Sequence, residues 1–102
     1  MTLPTLIKQP WEDKLYDLVF NETDFRPTEV IVTISSLVST SYGLRGGSTN
    51  VTISEITHDD NHTAQGRISG GTDLEDYKIT VKVITDQDNY LEGDCLLQVR
   101  DY

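Results

Sequence analysis

Alanine is almost missing from this sequence: Ala64 is its only copy. With the best helix former absent and Thr, Ser, Val and Ile abundant, the chain reads as strand-rich, and an all-α fold is set aside. Cysteine is as scarce. Cys95 stands alone, so no internal disulfide can form and the fold does not depend on an oxidising compartment. It lies in an apolar alternation and reads as a small buried core residue. A nucleophilic thiolate needs a base and a positive setting, and its neighbours Glu92 and Asp94 supply the opposite.

Long apolar runs are missing too. No stretch reaches the length needed to span a bilayer, so no membrane partner is expected. Residues 1–10 lack the charged-then-apolar layout of a secretion signal, and the expectation is a protein made and folded in a cytoplasm. The Asn-x-Thr triplets at Asn21, Asn50 and Asn61 would be glycan acceptors only on a eukaryotic secretory route, and so much Thr produces them by chance. Basic residues are outnumbered, 8 Lys and Arg against 17 Asp and Glu, for a formal charge of −9. Such a chain repels phosphate backbones, which argues against direct nucleic-acid binding. The charge keeps a strand-rich protein soluble. An acidic wall past which DNA slides is a further use, with an ordinary solvated surface the plainer one.

What remains in the 102 residues is enough for one domain with its own core. Residues 1–13 carry Pro4 and Pro10, no clear period, and the apolar Leu3, Leu6, Ile7 and Trp11. They read as an extended arm that packs on a neighbour or on its own sheet rather than as a solvating tail. Residues 14–102 read as the folded domain. In 14–20, Tyr16, Leu18 and Phe20 share the buried face, and a loop follows over 21–28. Residues 29–37 form a strong strand, with Val30, Val32 and Ile34 alternating against Ile31 and Thr33. A Gly-, Ser- and Tyr-rich loop over 39–48 precedes alternation through Val51 and Ile53. Residues 58–62 read as a hairpin turn, and a short strand over 63–69 has Ala64, Gly66 and Ile68 on one face. After Gly70 and Gly71 comes the cleanest alternation, with Tyr77, Ile79, Val81 and Val83 inward and Lys78, Thr80 and Lys82 outward. The last strand, 90–100, puts Leu91, Gly93, Cys95, Leu97 and Val99 on one side. About six or seven strands with turns every 8 to 12 residues predict an all-β, immunoglobulin-like antiparallel β-sandwich with an extended N-terminal arm. No βαβ unit, internal repeat or low-complexity segment is visible.

Each candidate site meets a plainer explanation. His58 and His62 with Asp59 and Asp60 have zinc-ligand chemistry, but consecutive residues in a hairpin tip do not converge easily on one ion. Asp86-Gln-Asp88-Asn89 starts like a calcium loop without its turn glycine or terminal bidentate Glu. Gly43-Leu-Arg-Gly-Gly-Ser-Thr49 lacks the Lys and the following helix of a phosphate cradle. It reads as a loop whose Arg45 contacts an acidic partner. No hydrolase triad can be assembled, because both histidines sit on one turn remote in sequence from Cys95. With 17 carboxylates, acidic pairs arise by accident and define no cleft. No catalytic residue, metal or cofactor is therefore assigned. Tyr16, Phe20 and Tyr77 read as core. Trp11, Tyr42, Tyr90 and Tyr102 suit protein contact better than glycan stacking.

The second half resembles a known family. The run Ile68-Ser-Gly-Gly-Thr72, then Tyr77-Lys-Ile-Thr-Val-Lys-Val-Ile-Thr85, then Leu91-Glu to Leu97-Gln-Val99 looks like small tailed-phage virion proteins, described as fibre–tail adaptors or Ig-like structural proteins. Lys8-Gln-Pro10 ahead of Leu15-Tyr-Asp17 and Phe20 is similar to their opening. Asp73-Leu-Glu-Asp76 and Asp86-Gln-Asp-Asn89 depart from their glycine-containing turns, which bears on the position in the virion. The resemblance implies a non-enzymatic virion adaptor at the head–tail junction or fibre attachment site. Its partners would be portal or adaptor, tail or fibre, or major capsid proteins, and it would be a homo-oligomer in the particle. The contacts are expected from Leu3, Leu6, Ile7 and Trp11, from Tyr42, Leu44 and Arg45, and from Tyr102. A capsid cement or decoration protein is the near rival, and a carbohydrate-binding module for host adhesion the more distant one.

Overall fold

Strands form where one face of the alternation is apolar, and turns form where Gly, Asn and Asp cluster. The computed structural model describes residues 2–42, 51–59 and 62–101, with only the backbone of Ser41 and Tyr42. The strands are β1 (Leu6–Lys8), β2 (Lys14–Val19), β3 (Ile31–Tyr42), β4 (Val51–His58), β5 (Thr63–Gly70), β6 (Asp76–Thr85) and β7 (Tyr90–Val99). A single 3₁₀ turn, Glu22–Asp24, is the only helical element among the described residues, and the Asn21 side chain caps it by accepting from Thr23 N–H at 3.0 Å.

Two sheets pack as a sandwich, one in the order β1-β7-β6-β3 and the other β2-β5-β4. Lettered B to G from β2 onward, they are the B–E–D and C–F–G sheets of the immunoglobulin arrangement. All pairings are antiparallel except β1 with β7, which is parallel in the register Leu6↔Leu97, Ile7↔Gln98, Lys8↔Val99. The expected Ig-like sandwich is therefore what the chain forms.

The core lies between the sheets. Tyr16, Leu18, Phe20, Ala64 and Ile68 line one layer, and Tyr77, Ile79, Val81, Val83, Cys95, Leu97 and Val99 face them from the other. Each of these aliphatic side chains contributes about 1.5–3 kcal/mol on burial. Phe25 closes one end of the core, edge-on to Phe20 at 6.0 Å.

In β3 the buried positions are Ile31, Leu37 and, partly, Ile34, three residues apart instead of two. Two register shifts against β6, between Ile31 and Thr33 and between Ile34 and Ser36, insert extra residues and turn the faces over each time. Val32 and Val38 are left outward. The strand also runs on to Tyr42, past the start expected for the loop at 39.

Tyr77 stands just inside β6 after the β5–β6 corner. Its hydroxyl accepts from Thr72 N–H at 3.0 Å and donates to the Glu75 carboxylate at 3.0 Å. This is the tyrosine corner seen in immunoglobulin-like sandwiches. Gly70 and Gly71, with φ of 80° and 98°, supply the left-handed backbone that starts the corner.

Candidate interaction surfaces

The sandwich has two ends built differently, and the candidate residues divide between them. At one end the loop 20–30, residues Asp59 and His62, and the turn 86–89 meet. Glu29, 2 % exposed, sits at their junction. Its carboxylate accepts from the Thr85 hydroxyl at 2.5 Å, the Asn89 amide at 2.7 Å and Arg26 N–H at 2.9 Å. The Thr85 hydroxyl, the Arg26 amide and the Asn89 side chain together hold the Glu29 carboxyl below the usual glutamate range. His62 bonds the Glu29 carbonyl at 3.0 Å and lies against Phe25 at 4.2 Å. His58 bonds the Val32 carbonyl at 3.1 Å and the Asp59 carbonyl at 2.7 Å. His62 thus ties its turn to the loop ahead of β3, and His58 ties the end of β4 to β3 itself. Among the described residues no group of His, Cys, Asp or Glu is arranged to hold a metal, and Asp60 and Asn61 lie outside them. Asp86 accepts from Val30 N–H at 3.1 Å, so this turn is fastened to its neighbour.

Cys95 is buried in the core, and burial, helped by Asp94, pushes its thiol up to about 11. It is a packing residue. The clefts on the described surface are shallow and open.

At the opposite end lie the β1–β2 connection, the β5–β6 corner and the stretch after β7. Trp11 is 95 % exposed there, and Leu74, with φ 69°, is 58 % exposed. Leu74 is fixed by its N–H to the Val99 carbonyl at 2.9 Å, and Arg100 N–H reaches the Lys8 carbonyl at 2.9 Å. The end is acidic: Glu12, Asp13, Asp73, Glu75, Asp76 and Asp101 lie in the segments that build it. Arg100 is committed to Asp76 at 2.8 Å. Lys8 is fully buried, its ammonium donating to the Gln9 carbonyl at 2.8 Å and the Pro10 carbonyl at 3.2 Å. Burial lowers its pKa, and Glu12 and Asp13 act against that shift.

The expected contact residues have different fates. Leu3 is in the core, 3 % exposed, and Leu6 packs against it from the edge. Ile7 is half exposed on the outer face beside Gln98. Trp11 is open to solvent. Tyr42 ends β3 at the Trp11 end, paired with Asp76, and its side chain is not described. Leu44, Arg45 and Tyr102 lie outside the described residues. Leu74 escaped notice in the sequence because it sits in a polar spacer, where a single Leu has no period to mark it.

Residues 8–98 match the model of the family described as Podophage GP4 fiber-tail adaptor protein gp77. The chain belongs to this family. The match runs from the last residue of β1 to Gln98 in β7, while Leu3, Leu6 and Ile7 precede it. No curated protein and no solved structure matches the chain. The gp77 family is a phage structural adaptor family, and no helix among the described residues is long and apolar enough to cross a membrane.

Proposed function

We propose that this chain is a non-enzymatic adaptor in a phage virion, joining fibre to tail through protein–protein contacts and present as several copies of itself. The observation that carries the reading is the family match over residues 8–98. The contact surface is the Trp11 end. An almost wholly exposed Trp and an exposed Leu on the same acidic end suit a partner with apolar pockets and a cationic rim. The acidic surface, −9 overall, keeps the protein off DNA.

The family description favours the fibre–tail position over a cement role on the head. A glycan platform finds less support. Trp11 and Tyr90 stand at opposite ends of β7, roughly 30 Å apart along the strand, too far to stack on one sugar.

Counting copies in purified virions by quantitative mass spectrometry, with an averaged particle map, tests the reading. A small symmetric set at the tail vertex is expected. Copies spread over the shell, or none in the particle, would overturn it. Trp11→Ala, folded as judged by circular dichroism, is expected to incorporate poorly, and incorporation at the wild-type level would remove the Trp11 end from the interface.

A further inference from the structure

The N-terminal segment 2–8 is held like a strap on the body of the sandwich. Leu3 N–H bonds the Asp94 carbonyl at 2.7 Å, Thr2 bridges to Asp94 in parallel, and β1 continues along β7 to Val99. In its sheet β1 pairs with β7 and with no other strand. Leu3 fills a slot that exists because residue 93 is glycine. A Cβ there would meet Leu3 Cδ1 at 2.9 Å, Leu3 Cγ at 3.0 Å and Phe20 Cε2 at 3.1 Å. Glycine weakens a strand interior and is retained where something approaches closely. Here that something is this chain's own leucine.

We propose that the β7 edge with its Gly93 slot is a strand-acceptor site whose alternative occupant is segment 2–8 of a second copy of this chain. The groove is complementary to that sequence, so the same contacts form whichever copy supplies it. Exchange of an identical element is a low-cost way to join protomers, reciprocal in a dimer and head-to-tail in a ring. What decides between own and foreign strap is the connection 9–13. In the closed form it is a turn held by Glu12 N–H to the Gln9 carbonyl at 3.1 Å and by Gln9 N–H to the Glu12 carboxylate at 2.8 Å. Opened, the six steps from Lys8 to Lys14 extend roughly 20 Å. That is close to the 21–24 Å breadth of the molecule, enough to reach a neighbour placed at this end. The acceptor site gives the adaptor reading a copy-to-copy joint, and its test uses the purified chain alone, so its failure leaves the virion assignment untouched.

Ile7 and Gln98 are register partners on the outer face. In an Ile7→Cys, Gln98→Cys, Cys95→Ser chain, a strap at home gives an intramolecular disulfide and an exchanged strap an intermolecular one. Incubated concentrated and then oxidised, the chain is expected to give covalent dimers or closed rings on non-reducing gels, rising with concentration and absent from either single-cysteine control. Excess peptide of residues 2–9 should suppress them, and the same peptide with Leu3→Ala should not. Intramolecular disulfide alone at every concentration overturns the proposal. Equal suppression by both peptides overturns the role of the Gly93 slot.

Discussion

The two ends of the sandwich carry similar acidity and use it in opposite ways. At the loop end a carboxylate is taken out of water and given three donors, so Glu29 binds the 20–30 loop to the β6–β7 turn. At the Trp11 end the carboxylates stay at least part-exposed, Asp76 on Arg100 and Glu75 on the Tyr77 hydroxyl, and the buried charge is a cation, Lys8, held by the Gln9 and Pro10 carbonyls. Buried charge is tolerated only when its hydrogen bonds are met, and that requirement makes the first end a fastening. The second end is fastened as well, by the Tyr77 corner and the hydrogen-bonded Lys8, yet it leaves Trp11 and Leu74 exposed. Both ends are braced, and the Trp11 end also presents large apolar side chains to solvent.

The comparison can be broken most severely at Glu29. Glu29→Ala leaves the Thr85 hydroxyl, the Asn89 amide and Arg26 N–H without their acceptor. It is expected to lower the melting temperature more than Tyr77→Phe, Tyr16→Phe or Trp11→Ala does. Hydrogen exchange should speed up over 25–30 and 85–90 with little change near Trp11. Uniform exchange in both regions would mean that the carboxylate is not a local fastening. The same group sets an acid response. Its folded pKa lies below its unfolded one, so its stabilisation is fully present above the ordinary glutamate value. It is lost as pH falls from there through the lower folded value. Glu29→Gln should flatten this part of the stability–pH curve, measured by denaturant unfolding across the acid range.

A smaller effect is expected at the other end from Tyr77→Phe, which deletes the hydroxyl joining Thr72 N–H to Glu75. A cost of about 1–2 kcal/mol in urea unfolding follows from losing a buried bond and orphaning its partners. Smaller again, and opposite in sign, is Tyr16→Phe. The Tyr16 hydroxyl is buried with no hydrogen-bond partner among the described residues, and burial, with Glu12 near, raises its pKa to about 12. Removing it should be neutral or stabilising by up to about 1 kcal/mol. A marked loss would reveal a partner for that oxygen. Smallest in stability is Trp11→Ala, within about 0.5 kcal/mol, because the ring touches solvent almost everywhere. A larger destabilisation would show that the indole packs on the body of the domain.

The sandwich was legible in the sequence because its central strands obey a period of two without interruption. Tyr77 to Val83 and Gly93 to Val99 each mark one face, and β5 does the same through Ala64 and Ile68. Strand β3 was legible as a strand but not in its facing, since its two bulges shift the parity and no residue type announces them. The short β1 was hidden for another reason. A three-residue parallel strand is defined by its partner and has too few positions to show a period. Lys8 and Glu29 were the least predictable, because a charged residue reads as exposed until its acceptors or donors are in view. Gly93 was the available clue to Leu3, as a glycine inside an apolar alternation signals a close neighbour. At the Trp11 end, Trp11 is exposed, as a contact residue needs to be, while the exposure of Leu74 depended on the fold of the corner.

The parallel pairing of β1 with β7 also has a consequence for biosynthesis. The strand made first waits for the strand made last, across about ninety residues of translation. At roughly 5–20 residues per second, that is on the order of ten seconds during which each nascent chain carries an unseated strap. The groove that receives the strap is thus the last part of the sandwich to be made, and seating the strap is a late step of folding.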